Sequence, residues 1–150
     1  MAFETYQSRR LLAQLMTGAE ELLARLIRSG CSHSVLSLSA HNGLTQQISD
    51  LGVASLLLRV DGRMGPSARS KKQPLAKHVA MLRETVGDCP IVVIGDALDD
   101  VRAAFANRVH AVPYVGGLTH AGILRQSGLP VAESLAEAAA LAIKHAHSAN

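Results

Sequence analysis

The sequence predicts an α/β fold: a parallel, Rossmann-like sheet flanked by helices. Three observations carry that prediction. Short apolar runs alternate four times with helical stretches, at spacings that suit right-handed crossovers. One run, Ile91-Val-Val-Ile94, is four consecutive β-branched residues, too apolar for an edge strand and suited to the buried middle of a parallel sheet. Gly95 ends it, and three carboxylates follow within five positions: Asp96, Asp99 and Asp100. Open α/β sheets place their chemistry just beyond the carboxyl ends of such strands.

Residues 3–15 have helical character, with Leu11, Leu12 and Leu15 on one face. Thr17-Gly-Ala-Glu20 resembles a capping box, in which the threonine hydroxyl takes the N3 amide and Glu20 reaches back. The helix it opens carries Leu22, Leu23, Leu26 and Ile27 at amphipathic spacing, and Gly30 ends it. Residues 33–38 read as a strand and 41–51 as a helix closed by Gly52. A Leu-rich run over 53–60 reads as the second strand. Residues 61–70 form a polar loop with two Gly and one Pro, too short to join separate domains and better read as a site loop. A helix follows over 71–86, with Pro74 tolerated in its first turn. After the 91–95 strand come a helix over 98–107 and a strand over 110–115 interrupted by Pro113. Gly116-Gly117 opens a loop, a short helix lies around 120–127, Val131 adds a brief extended piece, and an Ala-rich helix over 133–146 closes the chain.

Composition narrows the function. At 150 residues with 48% hydrophobic content, the chain has the makings of one packed domain and not of a disordered segment. Aromatics at 3% argue against stacking on bases, and the basic residues are scattered apart from Arg69-Ser-Lys-Lys72. A net charge of +3 suits a small anionic substrate, and nucleic-acid binding is not expected. No apolar run reaches the roughly 20 residues that span a bilayer. Two lone thiols, Cys31 and Cys89, and the lack of an apolar signal segment point to a reducing cytoplasm.

Three strand ends would share one rim of the sheet. The first offers Ser37 and Ser39, the second leads to Lys71 and Lys72, and the third ends at Asp96. A hydroxyl, an ammonium and a metal-binding carboxylate around one crevice make a phosphate site. Clustered oxygen ligands suit Mg²⁺, which usually takes one or two carboxylates and keeps several waters. Each group also has a plain structural reading: Ser as turn former, the Lys pair as solvated charge, Asp96 as cap of the next helix.

The order of these residues resembles the haloacid dehalogenase-like (HAD) hydrolase superfamily, phosphoglycolate phosphatase-like branch, over roughly residues 16–142. Met16-Thr-Gly-Ala-Glu-Glu-Leu-Leu looks like the approach to that family's second core strand. Ser34-Val-Leu-Ser37 is similar to its second motif, Lys71 to its third, and Gly95-Asp96-Ala-Leu-Asp-Asp100 to its fourth. Val109-His-Ala-Val-Pro-Tyr-Val-Gly-Gly117 looks like the strand and Gly-Gly loop beyond. The resemblance implies that Ser37 and Lys71 hold a transferring phosphoryl group and that Asp96 and Asp100 serve Mg²⁺. Ser39 and Lys72 are the alternatives.

One motif of the family is not found. Its reaction depends on an N-terminal Asp-x-Asp, whose first Asp is the covalent nucleophile and whose second is the general acid/base. The only carboxylates before residue 50 are Glu4, Glu20 and Glu21, and Asp61-Gly62 sits in the wrong loop. The resemblance therefore implies a core lacking its first, central strand, with residues 1–16 as a cap or linker remnant and 17–150 as an incomplete core. It implies a small phosphorylated metabolite as substrate and an inactive chain when alone. The alternative is a non-catalytic module that binds a phosphorylated ligand or a protein. A missing central strand would leave two inner edges unpaired, which predicts dimerisation or capture of a complementing chain.

Overall fold

The structure, a computed structural model, describes residues 20–66, 70–115 and 120–148. The helix expected over 3–15, the boundary at residue 16, Thr17 of the capping box and Gly116-Gly117 lie outside these. By contact density the chain divides into two units, Met1–Arg69 and Ser70–Asn150. The division falls at the end of the polar loop. Among the described residues, no helix is long and apolar enough to cross a membrane.

In the first unit, α1 covers residues 20–28. Strand β1 (Ser34–Ala40) leads directly into α2 (His41–Asp50), a short 3₁₀ turn occupies Ala54–Leu56, and β2 (Arg59–Arg63) pairs parallel with β1. Leu44, Ile48 and Val53 form the core, with Val35, Leu51, Leu56, Leu57 and Val60 packed against it. The i, i+4 spacing of Leu44 and Ile48 aims one face of α2 inward, and burying each side chain contributes roughly 1.5–3 kcal/mol.

The second strand is shifted from its expected place. Residues 53–60 look like one apolar strand, but the chain turns after α2 and β2 begins only at Arg59. A short apolar run does not distinguish strand from buried turn by itself. Here Val53 closes back on Ile48 through its backbone amide, 3.4 Å, and joins the α2 core. The ladder then takes Arg59, Val60 and Asp61 opposite Ser34, Val35 and Leu36. The first residues of the expected loop, Asp61 to Arg63, are therefore strand.

Just before β1, the His33 imidazole is held below its usual pKa by burial, partly offset by a backbone hydrogen bond with Leu23. Its Nε2 is buried without a hydrogen-bond partner. The unfolded chain thus binds this proton more readily than the folded one. His33 leaves stability intact above about pH 6.5 and lowers it as the pH falls below that value. Urea midpoints measured from pH 8 to pH 5 should decline in the native chain and decline less in His33→Gln. Identical slopes would count against this assignment.

In the second unit, α3 (Lys72–Val86) precedes β3 (Val92–Gly95), α4 (Leu98–Ala106) and β4 (His110–Pro113), followed by α5 (Ala121–Arg125) and α6 (Leu135–Ser148). Strands β3 and β4 pair parallel from Val92↔His110 to Gly95↔Pro113. A bridge from Tyr114 to Ala132 extends the far side. Val112, Ala132 and Ala138 form the core, packed by Val92, Ile94, Tyr114 and Leu141.

The expectation that residues 91–94 are a fully buried strand needs correction. Val92, Val93 and Ile94 are only half-buried, whereas Ala111 and Val112 of β4 are buried. The reason is the pairing: among the described residues β3 has β4 on one edge and no strand on the other. An interior strand must be covered on both faces and both edges to lose all its solvent.

Helix α4 ends in a Schellman motif, with the Val109 amide on the Ala104 carbonyl (3.0 Å) and the Arg108 amide on Phe105 (3.1 Å). The left-handed position, φ 56°, is filled by Arg108. The corresponding positions after α1 and α2 are Gly30 and Gly52. A side chain in this conformation costs about 1 kcal/mol relative to glycine.

Candidate functional site

The carboxyl end of β3 gathers the acidic run with Lys71. Gly95 is the last strand residue, and Asp96 follows it outside the helix. The N-cap position of α4 is Ala97, so Asp96 stands one residue before it. Asp100, at N3, does the work of a cap from inside: its Oδ2 accepts the Ala97 amide at 3.2 Å. The reach is possible because Gly95 has no side chain. A Cβ there would collide with the Asp100 carboxyl group.

Asp100 is 4% exposed, and its Oδ1 receives the Lys71 ammonium at 2.5 Å. A carboxylate so enclosed needs a cation, since unpaired burial of charge is costly. Asp99 fixes the same lysine by another route: its Oδ2 accepts the Lys71 backbone amide, 3.0 Å, and so caps α3 from a neighbouring helix. The Asn107 amide donates to the Lys72 carbonyl at 2.9 Å. The start of α3 is thus tied to both ends of α4. Of the two candidate lysines, Lys71 is the one whose ammonium meets the acidic run, and Lys72 is exposed.

Tyr114 is a site residue that sequence reasoning missed. Its amide donates to the Gly95 carbonyl at 2.9 Å, carrying the ladder one residue past β4. Burial chiefly, and then the Asp96 and Asp100 carboxylates, raise its phenol above the usual pKa. The sequence carries no local signal for it: the register of β3 on β4, which sets the residue after Pro113 beside the residue after Gly95, comes from the pairing.

Ser37 lies in the first unit, where the β1–β2 register slips between Leu36 and Ala40. Such bulges re-aim side chains and are common beside functional sites. The Ser37 hydroxyl oxygen accepts the Ser39 amide at 3.1 Å, a local turn bond that leaves its own O–H available as donor. Arg63 secures the bulge by donating from Nε to the Leu38 carbonyl, 3.1 Å. The Gly62 amide donates to His41 Nδ1 at 3.0 Å. Asp61 is in β2 and pairs with Arg59 Nε at 2.6 Å.

Among the described residues no group of three or more His, Cys, Asp or Glu is placed to hold a metal ion. An all-protein cage is therefore not built there. Mg²⁺ does not require one, because it typically takes one or two carboxylates with water and substrate phosphate. The hard oxygens of Asp96 and Asp100 fit that demand in kind.

No protein-family model matches the chain, and no curated protein matches it significantly by sequence. Solved structures do match in fold. A predicted phosphoglycolate phosphatase from Haemophilus somnus aligns at TM-score 0.67 and 21% identity, covering 81% of this chain and 54% of that one. A predicted phosphatase from Clostridium acetobutylicum aligns at 0.67 and 19%, covering 85% and 58%. Mycobacterium tuberculosis Protein Tyrosine Kinase A aligns at 0.67 and 21%, covering 83% and 59%. The fold is therefore the HAD-like one, with parallel strands flanked by helices. The chain spans a little over half the length of these structures. A kinase among phosphatases shows that the fold does not by itself choose the reaction.

Proposed function

We propose that the chain is part of a phosphatase core that in complete form hydrolyses a small organic phosphate of the phosphoglycolate type with Mg²⁺. The observation that carries this reading is the Lys71–Asp100 pair, set beside Asp96 at the end of β3 in a HAD-like fold. Lys71 and Ser37 hold phosphoryl oxygens. Asp96 and Asp100 hold Mg²⁺, which when bound neutralises charge on the phosphoryl group. Asp99 positions Lys71 through its backbone. The Asp-x-Asp that would supply nucleophile and general acid/base is absent from these 150 residues, so the chain by itself is inactive. The free thiols Cys31 and Cys89 suit a reducing cytoplasm.

Supplying an Asp-x-Asp segment, fused or in trans, should produce Mg²⁺-dependent hydrolysis of p-nitrophenyl phosphate. No gain over the chain alone would sink the reading. One observation favours a non-catalytic phosphate-binding module instead: Asp99 and Asp100 already serve as internal tethers for Lys71. Calorimetry with phosphate and Mg²⁺ separates the two, since binding without turnover in the complemented protein identifies the module.

The partner belongs to the same proposal. The uncovered edge of β3, built from Val92, Val93 and Ile94 with no charge or proline, accepts a strand from a complementing chain or a second copy. Sedimentation velocity on the chain alone should show dimers or larger species. A stable monomer across a hundredfold concentration range, about the span needed to expose weak association, would contradict this.

A further inference from the structure

We infer that the second unit carries a separate binding site for a small phosphate-bearing anion, in the cleft lined by Arg83, Arg108 and His110. The cleft has a volume of about 280 Å³ and lies where β3 and β4 begin, the opposite end of the strands from Asp96. Arg83 comes from the last turn of α3 and Arg108 from the turn after α4. Asp88 also lines the cleft, yet neither guanidinium is paired with it or with any other acceptor among the described residues. His110 is held in place by stacking on His145 of α6, ring centroids 5.4 Å apart and planes 15° from parallel. Two unpaired guanidiniums and an oriented imidazole offer the forked donors that phosphate oxygens accept.

The backbone adds an independent reason. Arg108 occupies the left-handed position of a Schellman motif, where the ends of α1 and α2 use glycine. Glycine would relieve the turn, so the side chain is what the position retains by being arginine. Cys89 lies in the same cleft and gives a local reporter.

The test uses the full chain carrying Cys31→Ser, so that Cys89 is its only thiol, with inorganic pyrophosphate as probe. Pyrophosphate should slow iodoacetamide alkylation of Cys89, and sodium chloride at matched ionic strength should not. Arg108→Gly should fold at least as stably as the parent and bind pyrophosphate about tenfold more weakly or worse. Arg83→Gln should also lose protection. Ser37→Ala, which removes a hydroxyl of the proposed phosphatase site without stranding a buried charge, should keep it, which separates failure of this site from failure of the proposed phosphatase reading. Equal protection in Arg108→Gly and its parent overturns the proposal. So does no protection in the parent, the result expected if both arginines serve only the helix dipoles.

Discussion

Gly95→Ala should destabilise the chain by about 3 kcal/mol, read as a lowered urea midpoint at unchanged slope. The added methyl has nowhere to go. It falls on the Asp100 carboxyl group, which cannot step aside without releasing both the Lys71 ammonium and the Ala97 amide. The loss is therefore an overpacking penalty plus a broken, largely buried ion pair. The mechanism makes a second claim that a general intolerance of alanine would not. In an Asp100→Gly background both the Cβ and the carboxyl group that the methyl would meet are gone, so Gly95→Ala should then cost far less than in the parent, and the two substitutions should be strongly non-additive. A midpoint matching the parent for the single variant would mean that Asp100 is not confined by the end of β3.

The second large effect is at Lys71. Lys71→Met should cost about 3 kcal/mol, because it strips the cation from a carboxylate whose side chain is 5% exposed. Asp100→Asn should cost less, about 1 kcal/mol, since the amide oxygen can still accept a hydrogen bond and the stranded ammonium, 24% exposed, reaches water. The order of the two is the test. Were Asp100→Asn the more damaging, Asp100 would owe its place to its cap on Ala97 and not to the pair. The double variant Lys71→Met, Asp100→Asn should recover part of the loss of Lys71→Met, as neutral partners leave no buried charge.

Much of this arrangement is readable from the residues. Four β-branched positions followed by Gly-Asp locate β3 and the acidic run at its carboxyl end, and the chain has no other run like it. The lysine after the polar loop is legible because it opens the helix that leads into β3, and such a helix starts at the rim where that strand ends. Other features are not local. Whether Leu56 and Leu57 are strand or turn depends on how β2 aligns with β1, and pairing register is invisible in the run itself. Tyr114 reads as an ordinary aromatic near a strand end until the β3–β4 register puts it beside Asp96. Asp99 and Asp100 look equivalent in sequence, yet a rotation of about 100° along the helix sends one to a backbone amide and the other to an ammonium. The half-burial of β3 is the clearest limit, because hydrophobicity reports what a strand is made to be covered by and not whether the cover is present.

The one-sided pairing of β3 should leave a signature in isotope exchange. In a parallel ladder each residue points its N–H and C=O to the same side. Gly95 gives its carbonyl to Tyr114, so Gly95 and Val93 face β4, while Ile94 and Val92 face outward. Deuterium should enter at Ile94 quickly and at its neighbours Val93 and Gly95 slowly, an alternation within a single strand. A polypeptide docking along that edge would silence the fast amides and leave the slow ones as they were, marking the docked strand without any label on it.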